Sequence, residues 1–241
     1  MILVGGLGTR LAPYTSAFPK PLMPLNGEPL LEILIKQLRQ YGFTDITLCV
    51  GYLGHLICAY FGDGSRFGVQ ISYSFEDRPL GTAGPLSMVP PSCEPILVMN
   101  GDILSTLDYG DLYRYHKRER AALTAGLFTR EVTIDFGVLT TDTTGRVMGY
   151  SEKPRLEYQI SMGVYVLAPT AHSLIHPQTR LDVPDLVNRL LADGERVMGY
   201  TFDGHWLDIG RPADYERACE EFERLRPVFL KEMEVPSLVA G

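Results

Sequence analysis

The stretch ILVGGLGTRL, residues 2–11, joins a short apolar run to a turn that contains three glycines. The apolar run is typical of a short buried strand at the start of an α/β sheet. Gly5, Gly6 and Gly8 let the backbone approach a phosphate closely and present amide N–H groups to it. Arg10 follows with a guanidinium fork that suits phosphate oxygens. The stretch therefore predicts an α/β fold with a phosphate-binding turn after its first strand.

Two standard phosphate-binding motifs do not fit this turn. The dinucleotide fingerprint G-x-G-x-x-G would need glycine at position 11, where Leu11 stands. The Walker loop G-x-x-x-x-G-K-[ST] is absent. The glycines alone are also compatible with a plain strand-to-helix turn that leaves Arg10 in solvent. Both interpretations stay open at this point.

The composition is that of an ordinary globular chain of 241 residues with a net charge of −7. This charge argues against binding to nucleic acid or to an anionic membrane, since both require a basic face. No apolar run approaches the roughly 18–20 residues of a membrane span, and no basic-then-apolar leader precedes the first strand. The four cysteines are scattered without a C-x-x-C pair, which favours a reduced, cytoplasmic protein.

Apolar runs alternate with helical patterns along the first half of the chain. This alternation predicts βαβ units in a mostly parallel sheet with right-handed crossovers. The predicted strands are 2–4, 46–50, 69–73 and 96–99. The predicted helices are 29–41, 53–61, 82–88 and 108–119.

The middle of the chain is rich in β-forming residues, over 121–129, 136–140, 146–151 and 160–167. Because TDTTGR at 141–146 is a plausible hairpin turn, these segments predict an antiparallel or mixed extension of the sheet. A helix at 183–192, a strand at 196–202 and a closing helix at 212–225 are expected to follow. The remaining residues, 226–241, are expected to form a loosely packed tail.

Lys20 lies between Pro19 and Pro21, in the segment FPKPLMPLNGEPLLE. The two prolines favour an extended backbone and remove two N–H donors from it. A rigid segment of this kind can hold an ammonium group towards a bound phosphate. An exposed lysine in a proline-rich loop is the alternative, and it stays open.

Two aspartates each follow an apolar run and lie next to glycine: Asp102 in ILVMNGDIL and Asp208 in HWLDIG. Ligands of open α/β sheets bind at the carboxyl ends of the strands, where Asp102 is expected. A pair of carboxylates, together with substrate phosphates, is the usual way to hold Mg²⁺. Either aspartate alone could instead cap a turn or a helix.

Glu152 and Lys153 in GYSEKPR also allow two interpretations. They form either a solvated pair or a site for sugar hydroxyls and a sugar phosphate.

Seven blocks carry a resemblance to a known family, in the order GGLGTRL (5–11), PKPLMPL (19–25), EDRPLGTAG (76–84), NGD (100–102), FGVL (136–139), EKP (152–154) and WLDIGRPADY (206–215). Together they resemble the sugar-1-phosphate nucleotidylyltransferases, the nucleotide-sugar pyrophosphorylases. The resemblance extends from the first residue to about residue 225. It is closest to the mannose-1-phosphate and D-glycero-D-manno-heptose-1-phosphate guanylyltransferase branch.

This resemblance implies a Rossmann-like three-layer sandwich around a mostly parallel mixed sheet, the fold of nucleotide-diphospho-sugar transferases. It implies a single nucleotidyltransferase domain over 1–225, with a nucleotide-binding half at about 1–120 and a sugar-binding half at 121–225. Residues 226–241 remain as the tail.

The resemblance also implies roles for individual residues. The catalytic set is Arg10, Lys20 and Asp102, and the Mg²⁺ ligands are Asp102 and Asp208. The nucleotide-binding set is Leu3, Gly5, Gly6, Gly8, Thr9, Arg10, Glu76, Pro79, Gly81, Thr82, Asn100 and Gly101. The sugar-phosphate set is Gly137, Glu152, Lys153, Ser161, Met162 and Gly163.

The implied reaction is attack of a sugar 1-phosphate on the α-phosphorus of a nucleoside triphosphate, with Mg²⁺ as cofactor and pyrophosphate as leaving group. A phosphate monoester is mostly dianionic at neutral pH, so no general base is needed. Positioning and charge neutralisation are sufficient. The expected partners are these small-molecule substrates, and the sequence does not decide whether the chain forms a homo-oligomer.

Glu76 occupies the position where the family reads the base. Guanine presents adjacent N1–H and N2–H₂ donors, which one carboxylate can accept together, so Glu76 favours GTP. Uracil or thymine would suit a glutamine better. A solvated loop acid beside Asp77 and Arg78 is the alternative.

The segment QISMGVYVL at 159–167 departs from the family, which commonly has Asn-Ala where this chain has Ser161-Met162. This departure changes the sugar pocket and weakens the expectation of an ordinary hexose.

Three other functions are alternatives to this one. The first is the same reaction with dTTP, UTP, CTP or ATP and glucose 1-phosphate, and the second is a non-catalytic regulatory subunit that binds nucleotide-sugars. The third, a dinucleotide-dependent oxidoreductase, is disfavoured by Leu11.

Overall fold

The computed structural model describes residues 1–11, 14–16 and 18–230. Their strands are β1 (Ile2–Val4), β2 (Pro24–Leu25), β3 (Glu28–Pro29), β4 (Asp45–Val50), β5 (Gln70–Phe75), β6 (Ile96–Asn100), β7 (Ile103–Ser105), β8 (Leu123–Thr133), β9 (Val138–Thr141), β10 (Val147–Ser151), β11 (Arg155–Leu167), β12 (Val197–Phe202) and β13 (Trp206–Asp208). Their α-helices are α1 (Leu30–Gln40), α2 (Gly54–Phe61), α3 (Tyr109–Glu119), α4 (Pro169–Ser173), α5 (Val183–Ala192) and α6 (Pro212–Phe229).

Seven of these strands form the central sheet, in the order β12-β8-β11-β6-β1-β4-β5. Every neighbouring pair is parallel except the two that involve β11, which runs against both β8 and β6. The predicted mostly parallel, mixed sheet is therefore confirmed. The carboxyl ends of β1, β4, β5 and β6 lie together at one edge of the sheet.

Helices cover both faces of this sheet. Successive side chains of a strand point to opposite faces, and on β6 Leu97 and Met99 join one buried cluster while Val98 joins another. The first cluster includes apolar residues of α1, α2 and α3, and the second includes those of α4 and α5. The three-layer sandwich that the family resemblance implied is present.

A third buried cluster packs α6 against a two-stranded ribbon formed by β7 and β13. The ribbon leaves the central sheet just after β6, so it brings the second half of the chain back beside the carboxyl edge. Phe222 and Phe229 of α6 are both buried, with ring centroids 6.0 Å apart. The closing helix ends at Phe229, whereas the sequence pattern predicted that it would end at residue 225.

Other predicted elements are found with small differences in their bounds. The TDTTGR turn joins β9 to β10, and the Asp142 carboxylate accepts N–H bonds from Thr144 and Arg146 at 2.8 and 3.1 Å. The helix predicted at 82–88 is a short 3-10 helix, Gly84–Met88. Of the expected loose tail, Phe229 and Leu230 are buried, and 231–241 lie outside the described residues.

No helix in the described part of the chain is both long and apolar enough to cross a membrane.

Candidate active site

An open cleft of about 490 Å³ lies over the carboxyl edge of the sheet, between the loops that follow β1, β5 and β6. Its size is that of an ordinary small-molecule site. Every residue that sequence analysis assigned to the nucleotide lines it: Leu3, Gly5, Gly6, Gly8, Thr9, Arg10, Glu76, Pro79, Gly81, Thr82, Asn100 and Gly101. Lys20 and Asp102 line it as well. We call it the nucleotide cleft.

The first glycine turn is packed too tightly for side chains. A Cβ at Gly5 would lie 2.6 Å from Glu76 Oε1, and a Cβ at Gly51 would lie 2.7 Å from the Gly5 carbonyl oxygen. Gly8 has a φ of +63° and its carbonyl oxygen accepts a bond from Leu11 N at 2.9 Å. Leu11 itself is fully buried. The third glycine position of a dinucleotide fingerprint is thus occupied by a core residue, which argues against that motif.

Glu76 is held in place at the start of the loop after β5. Its Oε2 accepts the Leu80 N–H at 2.9 Å, and its own N–H donates to the Val50 carbonyl oxygen at 3.0 Å. The carboxyl is half-buried, and burial raises its pKa above the ordinary range. Oε1 points towards the Gly5 backbone, inside the cleft. The residue therefore offers a fixed, partly desolvated acceptor.

The opposite wall of the cleft is clamped to the segment before α5. Gly81 has a φ of +82°, and a Cβ there would lie 2.6 Å from the Leu181 carbonyl oxygen. The Thr82 N–H donates to Asp182 Oδ1 at 2.9 Å, and the Thr82 hydroxyl accepts the Val183 N–H at 2.9 Å. These bonds fix the loop that carries Pro79, Gly81 and Thr82.

Lys20 forms an ion pair with Asp102 at the floor of the nucleotide cleft. Lys20 begins a 3-10 helix, Lys20–Leu22, directly after Pro19, whose φ of −68° and ψ of 136° are extended. The Lys20 side chain is only 10% exposed and that of Asp102 25%. The two prolines therefore direct this ammonium group into the cleft, and the alternative of a solvated lysine is excluded.

Asp208 lies beside Asp102 because the β7–β13 ribbon places them side by side. Asp208 pairs with Ile103, and the Ile209 N–H donates to the Asp102 carbonyl oxygen at 3.0 Å. Burial and the negative charge of Asp102 raise the pKa of Asp208, while Lys20 and Arg10 oppose the shift. Two mutually repelling carboxylates are thus held together by the fold.

The described residues contain no group of three or more His, Cys, Asp or Glu side chains placed to hold a metal ion. A cation at Asp102 and Asp208 would therefore complete its coordination with water and substrate oxygens, which is how proteins usually bind Mg²⁺.

A second cleft, of about 500 Å³, adjoins the first, and we call it the arginine cleft. Its lining includes four arginines, Arg10, Arg130, Arg211 and Arg217, the aromatic rings of Phe128 and Trp206, and the carboxylates of Asp208 and Asp214. Arg10 belongs to both clefts. Gly210 keeps space beside it, since a Cβ there would lie 3.2 Å from Arg10 Nη1.

Sequence analysis did not single out Arg130, Arg211 or Arg217. Arg211 and Arg217 flank Asp214 in GRPADYER, directly after the assigned Asp208, so their proximity to that aspartate was the available signal. Arg130 is an exposed residue of a strand, for which the local pattern gives no signal. Sequence analysis also did not assign Val4, Leu7, Pro21, Pro85 and Gly210, which line the nucleotide cleft.

The residues assigned to the sugar phosphate divide into two groups, and none of them lines either cleft. Gly137, Glu152 and Lys153 lie at the β9–β10 hairpin, where the Tyr150 hydroxyl donates to Glu152 and packs against Gly137. Lys153 is exposed and has a φ of +44°, an unusual backbone conformation for a residue with a side chain.

The other group, Ser161, Met162 and Gly163, forms an irregularity in β11, where its pairing with β8 shifts register. The Met162 side chain is 1% exposed and packs in the core, and its carbonyl oxygen accepts the Trp206 indole N–H at 3.1 Å. A Cβ at Gly163 would lie 2.6 Å from Asn100 Nδ2. Of this group, Gly163 is the residue that contacts the nucleotide cleft, through Asn100.

Comparison with known proteins gives a family match over most of the chain. Residues 1–224 match the family model described as nucleotidyl transferase. UTP–glucose-1-phosphate uridylyltransferase of Synechocystis sp. is 35% identical over 90% of this chain and 61% of its own length. Mannose-1-phosphate guanylyltransferase of Mycobacterium tuberculosis is 35% identical over 93% of this chain and 64% of its own. The chain thus spans less than two thirds of these curated relatives.

A crystal structure of HddC from Yersinia pseudotuberculosis complexed with GMP-PN has a TM-score of 0.69 and 26% identity to this chain. The match covers 92% of this chain and 97% of that one. The similarity therefore extends over most of the chain.

Proposed function

Because the chain belongs to the nucleotidyl transferase family, we propose that it transfers a nucleoside monophosphate from a nucleoside triphosphate to a sugar 1-phosphate and releases pyrophosphate. The observation that carries this proposal is the convergence of Arg10, Lys20, Asp102 and Asp208 at the junction of two clefts. One cleft has a glycine-rich phosphate turn, and the other gives a second substrate access to Asp208.

The proposed chemistry is in-line displacement at the α-phosphorus. A phosphate oxygen of the sugar 1-phosphate forms a bond to this phosphorus while the bond to the β-phosphate oxygen breaks, and pyrophosphate leaves with the electron pair. The attacking phosphate is already mostly dianionic at neutral pH, so no residue has to take a proton from it. Arg10 and Lys20 would neutralise the charge that develops on the departing pyrophosphate.

We propose Asp102 and Asp208 as the residues that hold a divalent metal ion, and Mg²⁺ as that ion. Two adjacent carboxylates, one with a pKa raised by partial burial and by the other's charge, suit a cation. When bound, Mg²⁺ would neutralise phosphate oxygens and favour their in-line arrangement. The Lys20 ammonium also neutralises part of this negative charge through its ion pair with Asp102.

We propose GTP as the preferred nucleotide. Leu80 N–H holds Glu76 through Oε2, and Oε1 remains inside the cleft. Guanine would donate N1–H and N2–H₂ to this carboxylate, which would stabilise the ionised form that burial disfavours. The guanine-nucleotide analogue in the HddC structure and the guanylyltransferase name of the mycobacterial relative support this choice.

The alternative nucleotide is UTP, dTTP, CTP or ATP with glucose 1-phosphate as the acceptor. The name of the Synechocystis relative, a uridylyltransferase that acts on glucose 1-phosphate, supports it. A non-catalytic regulatory subunit is disfavoured because all the charged residues of the proposed reaction are present.

The nucleotide would bind the half formed by 1–120, and the sugar 1-phosphate would bind the half formed by 121–225. A cytoplasmic location agrees with four free thiols.

Pyrophosphate release in the presence of Mg²⁺ tests this proposal. The assay crosses the common nucleoside triphosphates with mannose, glucose and heptose 1-phosphates, and it includes sugar-free and metal-free controls. We expect release that requires sugar, nucleotide and metal together and is highest with GTP. If no pair of nucleotide and sugar 1-phosphate released pyrophosphate, the proposed transferase activity would be refuted. A preference for UTP or dTTP would refute only the role of Glu76 in base selection.

A further inference from the structure

The arginine cleft carries more positive charge than the transfer reaction uses. Within the described ranges, no ion pair engages the guanidinium group of Arg10, Arg130 or Arg211, and Arg217 pairs with Glu221, with Nε 3.5 Å from Oε1. Asp214 accepts the Arg211 N–H at the start of α6, and Asp208 is the proposed metal ligand. The cleft therefore has three arginines that form no ion pair with a carboxylate of the described residues.

Two of the four arginines, Arg130 and Arg217, lie further along their elements than Phe128 and Arg211. Arg217 is six residues beyond Arg211 on α6, about 9 Å along the helix axis. Arg130 is two residues beyond Phe128 on β8, about 7 Å further along the strand. The backbones of Arg130 and Arg217 are therefore displaced along β8 and α6 from Phe128 and Arg211. Their side chains can contact a group of the acceptor other than the C1 phosphate, which the proposed function places beside Asp102 and Asp208.

The floor between these charges is aromatic. Phe128 and Trp206 pack with ring centroids 5.3 Å apart, and Ile160 is paired with Phe128 across the two strands. The Trp206 indole N–H is already bonded to the Met162 carbonyl oxygen, so the indole presents mainly apolar surface. Such a floor suits the apolar face of a sugar ring, with a charged substituent directed to the arginines.

We propose that the sugar 1-phosphate carries a second anionic group, a carboxylate or another phosphate, which Arg130 and Arg217 recognise. This inference rests on the proposed function and names the class of its acceptor substrate. Guanidinium groups bind carboxylate and phosphate oxygens in the same bidentate way, so both chemistries fit. Neutral sugar 1-phosphates would leave Arg130 without an anionic partner and Arg217 with Glu221 alone among the described residues, and would be poorer substrates.

Matched acceptors that differ only in this group test the proposal. On the gluco ring they are glucose 1-phosphate, glucuronic acid 1-phosphate and glucose 1,6-bisphosphate, and the corresponding manno series is measured in parallel. A 3-O-carboxyalkyl sugar 1-phosphate places the carboxylate at another ring position. With Mg²⁺ and GTP, or whichever triphosphate the enzyme accepts, we expect kcat/KM to be at least about tenfold higher for an acidic acceptor than for its neutral parent.

Arg130→Gln and Arg217→Gln test the assigned contact. Each should raise the KM for the acidic acceptor about tenfold while the KM for GTP stays within about twofold. Arg114→Gln serves as the control, because Arg114 is an exposed arginine of α3 that pairs only with Asp108 and Asp111. Thermal denaturation of each variant checks that the fold is retained.

Three results would overturn the inference. Equal or higher kcat/KM for the neutral parents would refute the proposal of a second anionic group, and the proposed transferase activity would still stand. Variants that change the KM for GTP or the inhibition by pyrophosphate, and not the KM for the acceptor, would assign the arginines to the polyphosphate. Absence of pyrophosphate release with every acceptor, acidic or neutral, would overturn the proposed function together with the inference.

Discussion

The Lys20 ammonium group donates to Asp102 Oδ2, although the two residues are 82 positions apart in the chain. Lys20 comes from the proline-bracketed segment after the glycine turn, and Asp102 from the end of β6. The pair therefore joins the proposed phosphate site to the proposed metal site before any substrate binds. It also limits the charge repulsion between Asp102 and Asp208, since Lys20 lowers the pKa of Asp208.

Lys20→Ala should lower kcat by roughly 10² to 10³ with the fold intact, because one preorganised charge on the leaving pyrophosphate is lost. Steady-state pyrophosphate release measures the effect. Lys36→Ala is the matched control, since Lys36 pairs with Glu28 and Glu32 outside both clefts. Turnover near that of the parent protein would refute the role of Lys20.

Asp102→Ala should lower kcat to a similar degree, roughly 10² to 10³, because one of two carboxylates for the metal ion is removed. Titration with Mg²⁺ should also show a higher half-saturating concentration than in the parent. Full activity at the same Mg²⁺ concentration would show that Asp102 does not hold the metal.

Glu76→Gln should shift the nucleotide preference away from GTP and towards UTP or dTTP. The amide would present its N–H₂ to guanine donors, whereas uracil or thymine can exchange a donor and an acceptor with it. We expect kcat/KM for GTP to fall about tenfold or more relative to that for UTP. An unchanged ratio would mean that Glu76 does not read the base. Asp77→Asn, at the next, exposed residue, is the control.

Asp208→Asn should stabilise the protein at neutral pH while it lowers activity by roughly 10². Burial and Asp102 raise the folded-state pKa of Asp208 above the ordinary 3.8, so its ionised form costs free energy in the folded state at neutral pH. This cost is relieved as the pH falls through the folded-state pKa and is absent below the unfolded one. The difference in melting temperature between variant and parent, measured without metal, should therefore shrink in acid. A variant less stable than the parent at pH 7 would contradict this account.

Phe229→Ala should lower the free energy of unfolding by about 3–5 kcal/mol, as expected for a buried phenylalanine. Phe229 is 2% exposed and packs on Phe222, and its carbonyl oxygen accepts the Gln37 side-chain N–H at 2.9 Å. Val228→Ala is the control, because Val228 is 48% exposed. Urea denaturation measures both. Equal small losses would show that the end of α6 contributes little to the core.

The sequence predicted β1, β4 and β6 well because each is a short run of mostly apolar residues, several of them buried. It did not predict where β11 lies. This strand follows the β9–β10 hairpin and was expected to extend the sheet, yet it inserts between β8 and β6, inside it. Strand order depends on contacts between distant segments, which local periodicity does not contain.

The nucleotide cleft could be predicted from the sequence because glycines, prolines and aspartates mark the ends of its strands. The arginine cleft could not be predicted in this way. Arg130 on β8 and Arg217 on α6 line one cleft only in the folded chain, and each one taken alone resembles a solvated surface residue. The end of α6 was missed for a similar reason, since Phe229 packs on His205, which lies outside the helix, and its carbonyl oxygen accepts a bond from Gln37, 192 positions away in the chain.

Transfer of label from the nucleotide tests the central claim most directly. The protein is incubated with Mg²⁺, an accepted sugar 1-phosphate and GTP labelled at either the α- or the γ-phosphorus, and the products are separated. We expect the α-label in a nucleotide-sugar and the γ-label in pyrophosphate. Recovery of the γ-label on the sugar, or of the α-label only in free nucleoside monophosphate, would contradict attack of the sugar phosphate on the α-phosphorus.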